Sequence, residues 1–297
     1  MSTVEEARPT QQSWWPSRYG AGDQAGTLNE VTAAAVRRGV ALVRQGRVFD
    51  LAHVLDEHIP AFPGRTFRQH LTAPEGLDTA NDVHWVVEYV NAPSQIGTHM
   101  DGLNHLHIGE RAYNGNRLAD ITEDYGTSRL GIETLPQVVT RGVLLDIAAL
   151  RGVDHLGPGE VITPADAEAA LQRQQLAVTP GDAVLFHTGW GRHWGVDNDA
   201  YVAGEPGPGM ALGHWLVDHR VALTGCDTWS FGPVPPEDPD RPFVVPQTLN
   251  AQHGLVVLEN LRLAEVAGAR VGEFMFVVSH AKLRGATGAW VAPLAVI

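Results

Sequence analysis

The chain of 297 residues is poor in several features that would otherwise define its environment and partners. Cys226 is its only cysteine, so no disulfide can form within the chain, which is typical of a reducing, cytoplasmic setting. Lys and Arg number 21 against 34 Asp and Glu, and the net charge of −13 disfavours nucleic acid as a partner. Because the sequence has no run of 18 apolar residues and no signal peptide at its N-terminus, we expect no association with a membrane.

Motifs of several enzyme classes are also missing. The sequence has no G-x-S-x-G segment, which disfavours a serine hydrolase, and Ser279-His280 has no evident base partner. It has no P-loop, and no G-x-G-x-x-G opens a helix after a strand, so we expect no nucleotide cofactor. Cys226 lies next to a buried strand and is more typical of an inert core thiol than of a nucleophile.

The hydrophobic pattern predicts one α/β domain, residues 1–297, around a mixed sheet. One helix is expected over residues 29–44, with Asn29 as its cap, and a second over 163–175, where Thr163-Pro164-Ala165-Asp166 is a strong start signal. The Pro-rich residues 231–246 are expected to form an ordered loop wall. Strands are predicted at 48–54, 83–90, 142–147, 183–187, 221–225, 255–258 and 274–279.

The most informative segment runs from Gln95 to His105. In an extended backbone, side chains two residues apart point the same way, so His99 and Asp101 share a face, and Gln95 joins them if the strand persists. An imidazole and a carboxylate on one face are half of a site for Zn²⁺ or Mn²⁺. His105 follows closely enough to handle a proton there. By spacing alone, a hydrogen-bonded polar loop without a metal is an equally good interpretation.

The pattern Gln95-x-Gly-Thr-His99-x-Asp101-x-x-x-His105 resembles the H-x-G-T-H-x-D-x-P-x-H signature of the metal-dependent cyclase-like hydrolases, which include bacterial kynurenine formamidase and isatin hydrolase. Residues 17–29, 183–190, 224–227 and 253–261 are similar to further blocks of that family, in the same order. The resemblance implies a swivelling β/β/α type fold, with a mixed β-barrel-like sheet flanked by helices. It also implies a homodimer or homotetramer in which residues 1–28, with Trp14 and Trp15, pack near a neighbouring subunit's site.

Departures from the family pattern bear on the metal. Gln95 replaces the usual first histidine, and Gln247, twelve residues before Glu259, stands where two-metal members carry another. We therefore expect one divalent ion per chain, Mn²⁺ or Zn²⁺, bound by His99 and Asp101 with Gln95 and Gln247 as further ligands. Glu259 would then orient a ligand or water. The alternative is that Glu259 binds the metal directly.

A metal with few protein ligands keeps positions for water and substrate, and the resemblance implies hydrolysis of a cyclic amide, a lactone or an N-formyl group. His105 is the expected proton shuttle, with Glu259 as the other catalytic residue. The alternatives are an arylformamidase acting on N-formylkynurenine and a metal-free, non-catalytic family member. The substrate is expected to be small, cyclic, and apolar or aromatic. Candidate pocket residues are Phe62, Phe67, Trp85, His187, Trp190 and Trp229.

Overall fold

The computed structural model describes residues 13–297, so the first twelve residues of the predicted interface segment lie outside the described residues. The α-helices are α1 (Ala33–Val40), α2 (Leu118–Ile121), α3 (Ile147–Arg151), α4 (Pro164–Gln174), α5 (Asn198–Ala203), α6 (Met210–Asp218), α7 (Val244–Gln247) and α8 (Ala264–Gly268), and a π-helical turn, Thr248–His253, follows α7. The strands are β1 (Val48–Asp50), β2 (Arg68–Leu71), β3 (Glu75–Gly76), β4 (His84–Trp85), β5 (Glu88–Asn91), β6 (His99–Asp101), β7 (Thr122–Glu123), β8 (Gly126–Thr127), β9 (Val138–Asp146), β10 (Val161–Ile162), β11 (Ala183–His187), β12 (Gly207–Pro208), β13 (Leu223–Cys226), β14 (Val256–Glu259), β15 (Glu273–Val278), β16 (Gly288–Trp290) and β17 (Leu294–Val296).

Nine of these strands form the central sheet, in the order β1-β17-β15-β9-β11-β13-β14-β6-β16. The four middle strands, β9, β11, β13 and β14, are mutually parallel, and the strands on both sides of them run antiparallel. The sheet curls into a half-barrel flanked by helices, which confirms the predicted α/β fold.

The strands of the sheet bury side chains on both faces, because apolar residues occupy consecutive positions. In β9, Leu144 packs into one hydrophobic cluster, while Val143 and Leu145 pack into the other on the opposite face. In β11, Leu185 packs into the same cluster as Leu144, and Phe186 packs into the cluster on the opposite face. Near-continuous apolar runs of this kind are typical of parallel strands covered on both sides.

The sheet topology also decides where the polar strand ends meet. The carboxyl ends of parallel strands lie at one edge of a sheet, which is where open α/β sheets usually bind ligands. Glu259 ends β14 at this edge and is the register partner of His99, the first residue of the antiparallel strand β6. The β14–β6 pairing therefore brings the segment 95–105 next to Glu259.

Two predicted elements differ most from the observed ones, and the strand predicted at 48–54 is confirmed only over Val48–Asp50. The helix predicted at 29–44 is shorter, because the Thr32 side chain, and not Asn29, accepts the capping hydrogen bond from the Ala35 amide. Asn29 instead donates to Asp23 and lies in the preceding 3-10 helical turn, Gly26–Glu30. The strand predicted at 83–90 is divided between β4 and β5, which belong to two separate two-stranded ribbons. The helix predicted at 163–175 is confirmed as α4, with Thr163 and the carboxylate of Asp166 forming a reciprocal cap.

The two ribbons, β2–β5 and β3–β4, make up what we call the hairpin arm, residues 68–91. Every residue of these four strands is exposed. The arm contains large apolar side chains that are exposed to solvent in the single chain, among them Leu71 and Tyr89. Across residues 13–297, no helix is both long enough and apolar enough to cross a membrane.

Candidate metal centre

Three buried side chains meet at the β14–β6 pairing. The Nε2 atom of His99 lies 3.2 Å from Oε2 of Glu259 and 3.6 Å from Oδ1 of Asp101. One ligand atom from each of the three residues lies within 4.8 Å of the other two. The face that the two-residue spacing predicts for His99 and Asp101 thus points at Glu259 on the neighbouring strand.

The hydrogen bonding of His99 determines which of its nitrogen atoms is free. Its Nδ1 lies 2.8 Å from the carbonyl oxygen of Gly97, which can only accept, so we assign the proton to Nδ1 and a lone pair to Nε2. Among the described residues, neither His99 Nε2 nor Asp101 Oδ1 has a hydrogen-bond partner, although both atoms are buried. An imidazole lone pair facing two carboxylates is repulsive unless a cation lies between them, and N/O donor sets of this kind suit Zn²⁺ or Mn²⁺.

Burial and neighbouring charges shift the pKa values of His99 and Glu259. Burial acts to lower the pKa of His99, but the carboxylates of Glu259 and Asp101 outweigh burial and raise the pKa above its ordinary value. Burial raises the pKa of Glu259, and the charge of Asp101 adds to this effect. A divalent ion bound between the three groups would displace any proton that they hold.

His105 lies at the solvent side of the same cluster. Its Nε2 is 3.9 Å from Oδ1 of Asp101, and its side chain is 23% exposed, against 1% for His99 and 2% for Asp101. His105 can therefore exchange protons with solvent, while the buried side chains cannot do so directly.

The two glutamines predicted as ligands are both anchored through their amide nitrogen. Gln95 donates to the Thr287 hydroxyl at 3.1 Å, and Gln247 donates to the carbonyl oxygen of His107 at 2.7 Å. Because the nitrogen of each amide is already used, a metal would have to take the amide oxygen. Amide oxygens are ligands that Mn²⁺ accepts more readily than Zn²⁺ does.

Aromatic rings lie in two groups, both of which include predicted pocket residues. The rings of Phe62, Trp229 and Phe243 have centroids 5.6, 6.0 and 6.4 Å apart. Phe67 packs at 5.8 Å against Trp290, which is the register partner of His99 on strand β16. Phe243 and Trp290 were not among the predicted pocket residues. The sequence signal that could have identified Phe243 is its place in the Pro-rich segment 231–246, which is predicted to form an ordered wall.

Three other predicted pocket residues lie elsewhere. Trp85 is on the exposed hairpin arm. Trp190 is buried, and its indole N–H donates to the carbonyl oxygen of Tyr201 at 3.1 Å. His187 contacts Asp146 at 2.9 Å and lines a separate cleft of about 390 Å³, whose lining residues include none of the three buried side chains of the metal centre.

Comparison with known proteins agrees with this fold. The model of the Cyclase family matches residues 49–233. A crystal structure described as a novel cyclase is 29% identical, with a TM-score of 0.84 over 94% of this chain and 96% of that one. Isatin hydrolase A from Ralstonia solanacearum is 21% identical, with a TM-score of 0.63 over 89% of this chain and 95% of its own. An isatin hydrolase bound to the product analogue thioisatinate is 17% identical, with a TM-score of 0.64 over 90% of this chain and 99% of its own.

No curated protein matches the sequence. The protein is an α/β protein with a half-barrel sheet, and a buried cluster of His, Asp and Glu that could bind a metal ion lies at the edge of that sheet. Since the family model covers more than half of the chain, the chain belongs to the Cyclase family, as the motif from Gln95 to His105 predicts.

Proposed function

We propose that this protein is a metal-dependent hydrolase that opens a cyclic amide or a lactone. The observation that carries the proposal is the unpartnered, buried Nε2 of His99, which faces the carboxylates of Asp101 and Glu259. The structural likeness to isatin hydrolases supports the same reaction class, since isatin is itself a cyclic amide.

In this proposal, His99, Asp101 and Glu259 bind one divalent ion, with the amide oxygens of Gln95 and Gln247 as further ligands. The distance of 3.2 Å from His99 favours direct binding by Glu259, the alternative to an orienting role. A bound Mn²⁺ or Zn²⁺ supplies Lewis acidity, which makes a water molecule more acidic and a substrate carbonyl more electrophilic.

His105 is the proposed proton shuttle. It is the partly exposed imidazole of the site, and its Nε2 lies 3.9 Å from Oδ1 of Asp101. It would accept a proton from the attacking water and return one to the nitrogen or oxygen that leaves the carbonyl carbon. The rings of Phe62, Trp229 and Phe243 would exclude water and hold a flat, apolar substrate.

Metal content and turnover test this proposal together. After dialysis, elemental mass spectrometry should find about one Mn or Zn per chain, and the protein should hydrolyse isatin, a lactam or a lactone. Two metals per chain with turnover of N-formylkynurenine would instead show an arylformamidase. No metal, and no activity when metal is added, would leave a non-catalytic family member and overturn the proposal.

We also propose that the protein is a homodimer joined through the hairpin arm. Leu71 and Tyr89 of the arm are 68% and 62% exposed, and isolated two-stranded ribbons are at best marginally stable in water. A second copy covering the arm would remove this apolar surface from solvent. The predicted packing of residues 1–28 and Trp14 at a subunit interface remains part of the same proposal, although Trp15 packs against Arg111 of its own chain.

Light scattering coupled to size-exclusion chromatography tests the dimer. The double variant Leu71→Glu, Tyr89→Glu should be a monomer, because it places two charges on the arm. Val196→Glu is the matched control, since Val196 is 83% exposed but lies outside the arm. A double variant with the same molar mass as the wild type would contradict an interface through the arm.

A further inference from the structure

Asn260 directly follows Glu259 and is held in an unusual conformation. Its φ angle is +54°, in the left-handed region that residues other than glycine seldom adopt. It is 4% exposed, so each of its polar groups needs a partner within the protein. The motif from Gln95 to His105 did not draw attention to it, because it directly follows strand β14, far along the chain from that motif.

The hydrogen bonds of Asn260 join the two halves of the metal centre. Its Nδ2 donates to the carbonyl oxygen of Gly97 at 2.9 Å, the same oxygen that accepts from His99 Nδ1. Its own carbonyl oxygen accepts from the Thr98 hydroxyl at 2.6 Å. Both bonds go to the two residues immediately before His99.

The remaining polar groups of Asn260 hold it in place. Its Oδ1 accepts from the hydroxyl of the fully buried Tyr201 at 2.8 Å, and its backbone N–H donates to the carbonyl oxygen of Thr228 at 2.8 Å. The side chain thus needs a donor and an acceptor at one position, which an amide provides and a carboxylate does not.

We infer that Asn260 is a positioning residue that fixes the ring of His99 relative to Glu259. It does so by holding the Gly97 carbonyl in the place where that oxygen directs the His99 imidazole. The inference rests on the proposed function in one respect, namely that the cluster binds a divalent ion. Partners that orient metal ligands commonly change metal affinity 10–100-fold when they are removed.

Two variants test this role by the dissociation constant for Mn²⁺ or Zn²⁺, measured by titration of the apo protein. Asn260→Gly removes the side chain and tolerates the positive φ, and should raise the dissociation constant about 10–100-fold. Asn260→Asp keeps the acceptor for Tyr201 but loses the donor to Gly97. Its added negative charge would by itself tighten cation binding, so weaker binding in this variant can only come from lost geometry.

Asn114 provides the matched control. It also has a positive φ, +56°, is buried, and uses its side chain to bond the Ser17 amide at 2.8 Å and the Gly20 carbonyl at 2.9 Å. Asn114→Gly should lower the melting temperature but leave metal affinity unchanged. If Asn260→Gly behaves in the same way, the positioning role is wrong and Asn260 is merely structural.

Amide hydrogen exchange separates this inference from the proposed function. If the wild type binds no metal, the proposed function fails. The effect of the Asn260 hydrogen bonds on the segment before His99 can still be measured in metal-free protein. Asn260→Gly should then speed exchange at the amides of residues 97–101 at least tenfold relative to Asn114→Gly. Equal exchange in the two variants would overturn the inference.

Discussion

At the scale of single residues, the role of His99 follows from what its two ring nitrogens contact. Nδ1 is occupied by the Gly97 carbonyl, which leaves the Nε2 lone pair directed at two carboxylates. Burial removes the water that would otherwise screen this arrangement. The same three side chains on an exposed loop would be stable without an ion, whereas buried together they need either a proton or a metal.

Substitutions at the site should separate metal binding from proton transfer. His99→Ala and Asp101→Ala each remove a proposed ligand, so both metal content and activity should be lost. His105→Ala should keep the metal but lower kcat about 10²–10⁴-fold, because it removes the proton shuttle and no proposed ligand. Elemental analysis and steady-state kinetics on the same preparations measure both effects.

His219→Gln is the control for these three variants. His219 caps the C-terminus of helix α6, and its Nδ1 contacts the carbonyl oxygen of Trp215 at 2.8 Å, away from the cluster. It should bind metal and turn over substrate like the wild type. A His105→Ala variant with wild-type kcat would show that His105 has no part in proton transfer.

At the scale of elements, the short strand β6 depends on the turn that precedes it. Gly97 has a φ of +63°, and a Cβ added there would lie 2.0 Å from Cδ2 of Leu55. Gly97→Ala should therefore destabilise the protein by about 2–4 kcal/mol, from the left-handed backbone and from overpacking together. Because the turn carries the carbonyl that directs His99, metal affinity should fall as well.

Gly109→Ala separates the two causes. Gly109 has a similar φ of +59°, but a Cβ there meets no atom of residues 13–297 within 4 Å. Gly109→Ala should lower the free energy of unfolding by only about 1–2 kcal/mol, because it adds the left-handed backbone strain without overpacking, and metal affinity should not change. Urea unfolding of the two variants measures the difference, and equal losses would show that Leu55 yields to the added methyl group.

At the scale of the whole molecule, the half-buried His53 should make the fold less stable in acid. Burial, together with the positive charge of Arg262, lowers the pKa of His53 to about 4, while its ring stacks on Trp194. The unfolded chain binds this proton near pH 6.5 and the folded chain does not. The free energy of unfolding should therefore fall as the pH drops from about 6.5 to 4, by roughly 1 kcal/mol per pH unit for this residue.

Urea unfolding of the wild type and His53→Gln at pH 7, 6 and 5 checks this prediction. The variant cannot take up the proton in either state, so its free energy of unfolding should depend less steeply on pH. Parallel pH profiles for the two proteins would show that folding does not lower the pKa of His53.

Local signals in the sequence predicted those features that depend on near neighbours in the chain. The start of α4 follows from Thr163 and Asp166, which need only each other. The common face of His99 and Asp101 follows from the two-residue repeat of an extended strand. The same segment carries the family resemblance, and the match to the Cyclase family confirmed it.

Tertiary structure decided what depends on contacts between distant parts of the chain. The pairing of β14 with β6 brings Glu259 to His99, and no local pattern encodes which strands become neighbours. The same topology leaves His187 in a separate cleft and Trp85 on the exposed arm, although both residue types are typical of a pocket. Side-chain chemistry and strand period can be read locally, but the partner of each group is chosen by the packing of the whole sheet.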